Sequence, residues 1–440
     1  MLACLDEITD TGFLNQFMQA TSPELSRAQC YFKLAALVLI AGNIYPIIYL
    51  RQSYEVSIIE TFGISVTQLN DYYAWLGGIY LITYLPSGWL SDRIAPRALM
   101  SFSLLATGLL GVWFASVPSP ESLKWIFIGW GVTAGLTFWS ALIKATALLA
   151  SPDEQGRFFG ILEGGRGLVE AVLATIAAAM FAYFVNSAAQ STSVALIKVI
   201  WMYVGMMLLL APLAYFILDD ADNHEQLEDD VSGDKPGSIE SLVMVLSKLE
   251  IWLCALCILC GYQLFFATYS FSGFMQTEFG LTAVMTSSIG AVMFWMRPLG
   301  AAIAGFSGDL IDRERVLAGL MIGGSIVLAV LAVVPISISV LLLSSIVVMI
   351  GFMVYAVRGI FWATLESCEV PNSVKGLAIG VISTIGYAPA LYLPALNNYL
   401  LEAYSVKQSY VIYYLVIAVM GLLGAFSALL LRRIVKTKQA

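Results

Sequence analysis

Long apolar runs, each closed by a short polar break, follow one another along nearly the whole chain. They lie near 31–54, 71–92, 97–116, 123–149, 156–186 and 195–218, then resume near 250–276, 281–304, 315–336, 338–367, 374–400 and 409–431. A helix that crosses a bilayer needs about 20 consecutive apolar residues, so each run predicts one spanning helix. The runs fall six before and six after a polar, acidic stretch at 219–249. Several exceed the minimum, which permits tilt or a projecting end. The pattern predicts an all-α polytopic membrane protein with twelve transmembrane helices in two pseudo-symmetric halves. Its expected parts are an N-terminal segment 1–30, a first half 31–218, a linker 219–249, a second half 250–432 and a tail 433–440.

Composition agrees. The chain is 59% hydrophobic and 12% charged, with a mean hydropathy of +0.84, where a soluble domain is about a quarter charged. It has too little polar surface to cover a soluble globule. The acidic pI says little about partners, because acids cluster between Asp219 and Glu240. Cys254, Cys257 and Cys260 share one apolar segment without a fourth ligand, so they read as small packing residues. The lone His224 falls in the polar linker. No metal, cofactor or nucleic-acid partner is expected, and no cleavable signal peptide opens the mixed, acidic first thirty residues.

Two loops repeat one pattern about half the chain apart. One reads Gly88-Trp89-Leu90-Ser91-Asp92-Arg93, with Arg97 beyond; the other reads Gly305-Phe306-Ser307-Gly308-Asp309, then Arg313 and Arg315. Such a duplication in register with the apolar runs points to a repeat-built membrane carrier. With the N-terminus inside, the inner loops and tail hold Arg93, Arg97, Arg157, Arg313, Arg315, Lys375, Arg432, Arg433, Lys436 and Lys438. The outer loops hold Lys124 and Lys407. Both termini are therefore expected in the cytoplasm.

Charges at membrane depth are costly and are functional candidates by default. They are Arg51, Lys144, Glu163, Arg166, Glu170, Arg297, Arg358 and Glu366. The excess of cations favours an anionic substrate, most simply a carboxylate or phosphate. Glu163, Arg166 and Glu170 share a helix face at i, i+3, i+7. Arg358, Trp362 and Glu366 would do so at i, i+4, i+8. Arg51, Lys144, Arg166 and Arg358 are expected to bind substrate, with Trp139, Trp362, Tyr45, Tyr269 and Tyr355 against its organic body. Glu163 and Glu366, then Glu170, are the candidates to load a coupling proton, since burial raises a carboxylate pKa. Arg297, beside Pro298 and Gly300, either reaches the interface or touches substrate.

The loop pattern resembles the motif of the major facilitator superfamily, found after the second and again after the eighth helix. The resemblance implies a gating role for Gly88, Asp92, Arg93 and Arg97, and for Gly305, Asp309 and Arg313. Ala95 and Pro96 depart from the usual glycine and basic residue. Ile47-Ile48-Tyr49-Leu50-Arg51 resembles the organophosphate:phosphate antiporter branch, but Gly261-Tyr262-Gln263-Leu264-Phe265-Phe266 lacks that branch's seventh-helix arginine. Further patterns are similar to a bacterial subfamily labelled YihN-like or nitrate/nitrite-transporter-like. They are Phe138-Trp139 with Lys144, Glu163-Gly164-Gly165-Arg166-Gly167-Leu168, and Arg358-Gly359-x-x-Trp362 with Glu366.

The expected protein is a monomeric secondary carrier in a bacterial inner membrane. It would take up a small organic anion by alternating access, driven by protons or by a counter-anion. The competing classes are an exporter of drugs or amino acids, a transporter-like ligand sensor, and a membrane enzyme. No nucleophile–base pair or phosphate loop supports the last.

Overall fold

The structure, a computed structural model, describes residues 27–91, 93–149, 155–218, 238–370 and 375–439, and every regular element among them is helical. In the first half these are α1 (Arg27–Ile48), α2 (Arg51–Phe62), α3 (Val66–Ser91), α4 (Pro96–Ala115), α5 (Pro120–Leu136), α6 (Trp139–Leu149), α7 (Gln155–Ala182) and α8 (Thr192–Ile217). The second half holds α9 (Ser238–Ser247), α10 (Leu249–Ala267), α11 (Phe271–Phe279), α12 (Ala283–Leu310), α13 (Arg313–Val333), α14 (Val340–Ile360), α15 (Lys375–Gly386), α16 (Pro389–Ala403) and α17 (Val406–Gln439). Pairs α1–α2, α5–α6, α10–α11 and α15–α16 are single spans broken in the middle, and α14 continues as a 3₁₀ turn over Phe361–Cys368.

Among the described residues, eleven spans are both long and apolar enough to cross a membrane. The twelfth, α3, has the length at 26 residues, but Tyr72, Tyr73, Tyr80, Tyr84 and Gly77-Gly78 dilute its hydropathy. Its polar rings turn inward: Tyr72, Tyr73 and Tyr80 are buried. The sequence pattern also undercounts the last helix, which runs on to Gln439. Its tail is held where Arg432 and Lys436 meet Asp312 and Lys438 meets Glu250.

Local chemistry sets the starts, ends and breaks. Ser191, Thr282 and Ser339 cap α8, α12 and α14 through their hydroxyls. The first and seventh spans both end Phe-Gly, with Gly63 at φ 61° and Gly280 at φ 66°, a left-handed cap that glycine adopts without strain. At the breaks, hydroxyls bond back three residues: Thr268 to the Phe265 carbonyl, Ser270 to Ala267 and Thr364 to Phe361. That spacing matches the 3₁₀ geometry adopted there.

The buried apolar residues form one large cluster within 34–218 and another within 245–428. Across the halves, α7 packs on α12 and α3 on α16. Three polar links between the halves lie towards the end away from the loop motifs. Asn70 Nδ2 donates to Asn398 Oδ1 at 2.8 Å, Asn398 Nδ2 to Asp71 at 2.7 Å, and Ser272 Oγ to the Ser53 carbonyl at 3.0 Å. Within the second half, α12 and α14 cross backbone to backbone. A Cβ at Gly300 would stand 2.9 Å from Ala356 N and Phe352 O, and one at Gly359 2.7 Å from Ala301 Cα.

Gly300→Val is expected to lower stability by about 1–3 kcal/mol through overpacking, read as a lower melting temperature in detergent. Gly319→Ala, in open space, should change it little; equal melting of both variants would contradict the close crossing. At the motif end, burial works to raise the Asp312 pKa, but Arg432 and Lys436 outweigh it and hold the carboxyl below its ordinary range. A carboxylate depressed in the fold contributes stability above its unfolded pKa of about 4, and loses it as pH falls through the lower folded value. Asp312→Asn should therefore flatten the acid limb of melting temperature against pH.

Candidate functional site

Between the halves lies a cavity of about 1010 Å³ of empty space, part of it open to solvent. The broken spans aim side chains into it: Tyr45, Tyr49 and Gln52 from the first, Trp139 from the fourth, Tyr262 and Tyr269 from the seventh, Tyr355 and Arg358 from the tenth, and Tyr387 from the eleventh. Unbroken α3 adds Tyr80 and Tyr84, α7 adds Arg166 and Glu170, and α12 adds Arg297.

An ion cluster occupies its floor. Arg166 NH1 donates to Glu163 Oε1 at 2.9 Å, while Arg297, from the other half, donates to Glu170 Oε2. Arg297 reaches α7 because Gly167 has no side chain; a Cβ there would lie 2.9 Å from Arg297 Cγ. Arg166 Nε and Glu170 Oε1 face each other at 3.9 Å, both buried and neither hydrogen-bonded. Arg358 rests on the Phe265 ring at 4.1 Å and has no carboxylate within ion-pair distance among the described residues. Three guanidiniums against Glu163 and Glu170 leave one net positive charge.

The structure thus brings together Arg166, Arg358, Trp139, Tyr45, Tyr269, Tyr355 and Glu170, with Glu163 beside them through Arg166. Arg166 also lies over the Tyr45 and Trp139 rings at 5.4 and 5.6 Å. The turn at Thr137–Phe138 resets the helical phase before α6, which carries Trp139 inward.

Arg51, Lys144, Trp362 and Glu366 lie elsewhere. Arg51 is buried between the cavity and the end away from the loop motifs. Its NH2 donates to Glu55 at 2.6 Å and its NH1 to Asn70 at 2.9 Å. Lys144 donates to the Ser91 carbonyl at 2.7 Å, beside the first loop motif. Glu366 pairs with Arg313 of the second motif. Trp362 Nε1 donates to the Tyr387 hydroxyl at 3.1 Å and so positions a lining residue. The i, i+4, i+8 face expected for Arg358, Trp362 and Glu366 fails because the helix tightens to 3₁₀ from Phe361. About three residues per turn then rotate Trp362 and Glu366 away from Arg358.

Of the motif residues, Asp92 lies outside the described residues, as does the Asp309 side chain. Arg93 stacks on Trp89 at 4.0 Å and Arg97 on Tyr215 at 5.1 Å. Gly88 and Gly305 stand in open space.

The sequence alone leaves Arg297 open between interface and substrate, and does not mark Tyr49, Tyr80, Tyr84 and Tyr387 as lining residues. A signal was present in the spacing of Tyr45 with Tyr49 and of Tyr80 with Tyr84, each pair on one helix face.

Comparison with known proteins places this architecture. The Major Facilitator Superfamily profile matches residues 34–394. Inner membrane protein YihN of Escherichia coli K12 is 27% identical over 408 residues, covering 92% of this chain and 96% of that protein. Inner membrane protein YqcE of the same organism is 27% identical over 414 residues, covering 92% and 95%. Among solved structures, a bacterial homologue of the human lysosomal transporter Spinster, inward-facing and unoccupied, superposes with a TM-score of 0.69 at 16% identity. That match covers 92% of this chain and 98% of the homologue. The helical halves, the cavity between them and a profile match over most of its length make this chain a member of the major facilitator superfamily, a multi-pass secondary transporter.

Proposed function

We propose that this carrier takes up a small organic anion at the central cavity, coupled to protons, in a bacterial inner membrane with both termini cytoplasmic. The observation that carries the reading is Arg358: a cation inside a membrane protein, set in the cavity without a carboxylate partner among the described residues. A cation kept there without a counter-charge is costly, and an anionic ligand supplies the missing partner. Arg166 and Arg297 already have carboxylates and add directed donors around the same space.

Coupling is best assigned to Glu170. Its carboxylate is the one in the cavity that ties the two halves together, through Arg297. Its second oxygen lies buried 3.9 Å from Arg166 Nε without a hydrogen bond, so the carboxylate is shared between the two arginines. A bound anion competes with Glu170 for the arginines, and a proton on Glu170 releases them; either event loosens the tie that rocking of the halves must break. Arg51 serves instead in the seal between halves, through Asn70, Asn398 and Asp71. Lys144, Arg313 and Glu366 act at the opposite gate with the loop motifs.

The first experiment is thermal stabilisation by a panel of carboxylates, sulfonates and phosphate esters. Arg358→Ala should abolish the rise produced by the stabilising anion while leaving basal melting close to wild type. Arg51→Ala should behave oppositely. It strands buried Glu55 at a cost of about 3–5 kcal/mol, lowering basal melting yet preserving the anion response. Stabilisation by neutral or cationic compounds alone, indifferent to Arg358→Ala, would sink the anion reading. In proteoliposomes, Glu170→Gln should retain anion exchange and lose accumulation driven by an inward proton gradient; wild-type accumulation in that variant would move coupling to another group.

A further inference from the structure

The cavity wall is made of one unusual material. Of its lining residues ten are tyrosines (Tyr45, Tyr49, Tyr54, Tyr80, Tyr84, Tyr203, Tyr262, Tyr269, Tyr355 and Tyr387) and only two, Phe265 and Phe294, are phenylalanines. The chain as a whole has 21 Tyr and 23 Phe, so aromatic bulk alone would have been met equally by either. What the wall selects is the hydroxyl.

Several of those hydroxyls have hydrogen-bonding capacity left over. Tyr80 Oη is fully buried and makes no hydrogen bond of normal geometry, with only the Tyr49 hydroxyl, another wall residue, near it. Tyr45, Tyr84 and Tyr269 make no hydrogen bond to another described residue. Tyr387 accepts from Trp362 and keeps its own proton to donate. Buried phenols usually find partners, and unmet groups around a cavity are where a ligand's polar groups belong. The rings also lie as flat platforms: Tyr49 and Tyr269 stack at 5.1 Å and 2°, and Tyr80 and Tyr84 at 5.8 Å and 6°.

Flat apolar faces rimmed by hydroxyls match a polyol ring, whose C–H faces are apolar and whose edge carries hydroxyls. The single net positive charge around Arg358 matches one negative charge; a phosphate ester, near two, would over-compensate it.

We infer that the substrate class is a sugar acid, a polyhydroxylated monocarboxylate, held by its carboxylate at Arg358 and by its hydroxyls at the tyrosine wall. This rests on the anion reading above and narrows it. A site built for substrate hydroxyls rejects an analogue lacking them far more strongly than an apolar pocket rejects a hydroxyl.

The test compares D-glucuronate with cyclohexanecarboxylate, which keeps ring and charge without hydroxyls, with a hexose phosphate and with neutral methyl glucoside. Each is titrated in melting experiments on the full chain in detergent, for wild type, Tyr80→Phe, Tyr84→Phe and Arg358→Ala. The tyrosine variants keep the ring and should fold. Expected is stabilisation by glucuronate, weakened about tenfold in apparent affinity by each lost phenol hydroxyl, with little response to the hydroxyl-free acid or the phosphate. Cyclohexanecarboxylate matching glucuronate, or unchanged affinity in both tyrosine variants, overturns the sugar-acid assignment and leaves the anion reading standing. Silence towards glucuronate, galacturonate and gluconate alike also overturns it. Equal response to methyl glucoside and glucuronate, retained in Arg358→Ala, instead takes down the anion reading itself.

Discussion

A guanidinium inside a membrane protein needs an anion beside it, and here three cavity arginines share two carboxylates. That shortage organises the centre of the molecule. Glu170 is drawn towards Arg166 on its own helix and towards Arg297 on the opposite half, so the halves are joined by charge where they must also separate. Arg358, left over, lies against Phe265 with no carboxylate partner among the described residues, which is where the proposed anion would complete the count. Arg51 answers the same need privately, with Glu55 and Asn70, which is why an arginine at membrane depth need not be a binding residue.

Around this ionic centre, helix geometry decides which side chains meet. Backbone groups in lipid must bond within the chain, so spans break only where protein or an internal cavity surrounds them. The breaks near Tyr49–Leu50, Thr137–Phe138, Thr268–Ser270 and Phe361–Cys368 fall in the first, fourth, seventh and tenth spans. Each shifts the phase of the next helical stretch. Trp139 gains the cavity by such a shift, while Trp362 and Glu366 are turned from it. Glu366 then meets Arg313 at the loop motif, and Lys144 reaches the other motif at the Ser91 carbonyl. Charges that look like a binding set in sequence are divided by these breaks between the cavity and the loop motifs.

Much of the fold was legible in the sequence, because a spanning helix announces itself by length and apolarity, and a duplicated loop by its own repeat. Even α3, too rich in tyrosine to qualify by hydropathy, is marked by the loop motif at its end. The ion trio Glu163, Arg166 and Glu170 was legible too, since an uninterrupted helix preserves its face. Arg297 was not, because its role depends on a gap over Gly167 in the other half of the chain.

By itself, then, the sequence determined the membrane class, the twelve spans, the two halves and the one-faced cluster on α7, all consequences of local periodicity and of the cost of burying polar groups in lipid. Only the tertiary structure decided that Arg297 crosses to Glu170, that Arg358 stands uncompensated among the described residues, and that ten tyrosines from separate spans form one wall. Some of those relations join residues more than 300 positions apart in the chain, as Gln52 and Tyr355 are. No local pattern encodes them, because they arise where helices from two halves close on the same space.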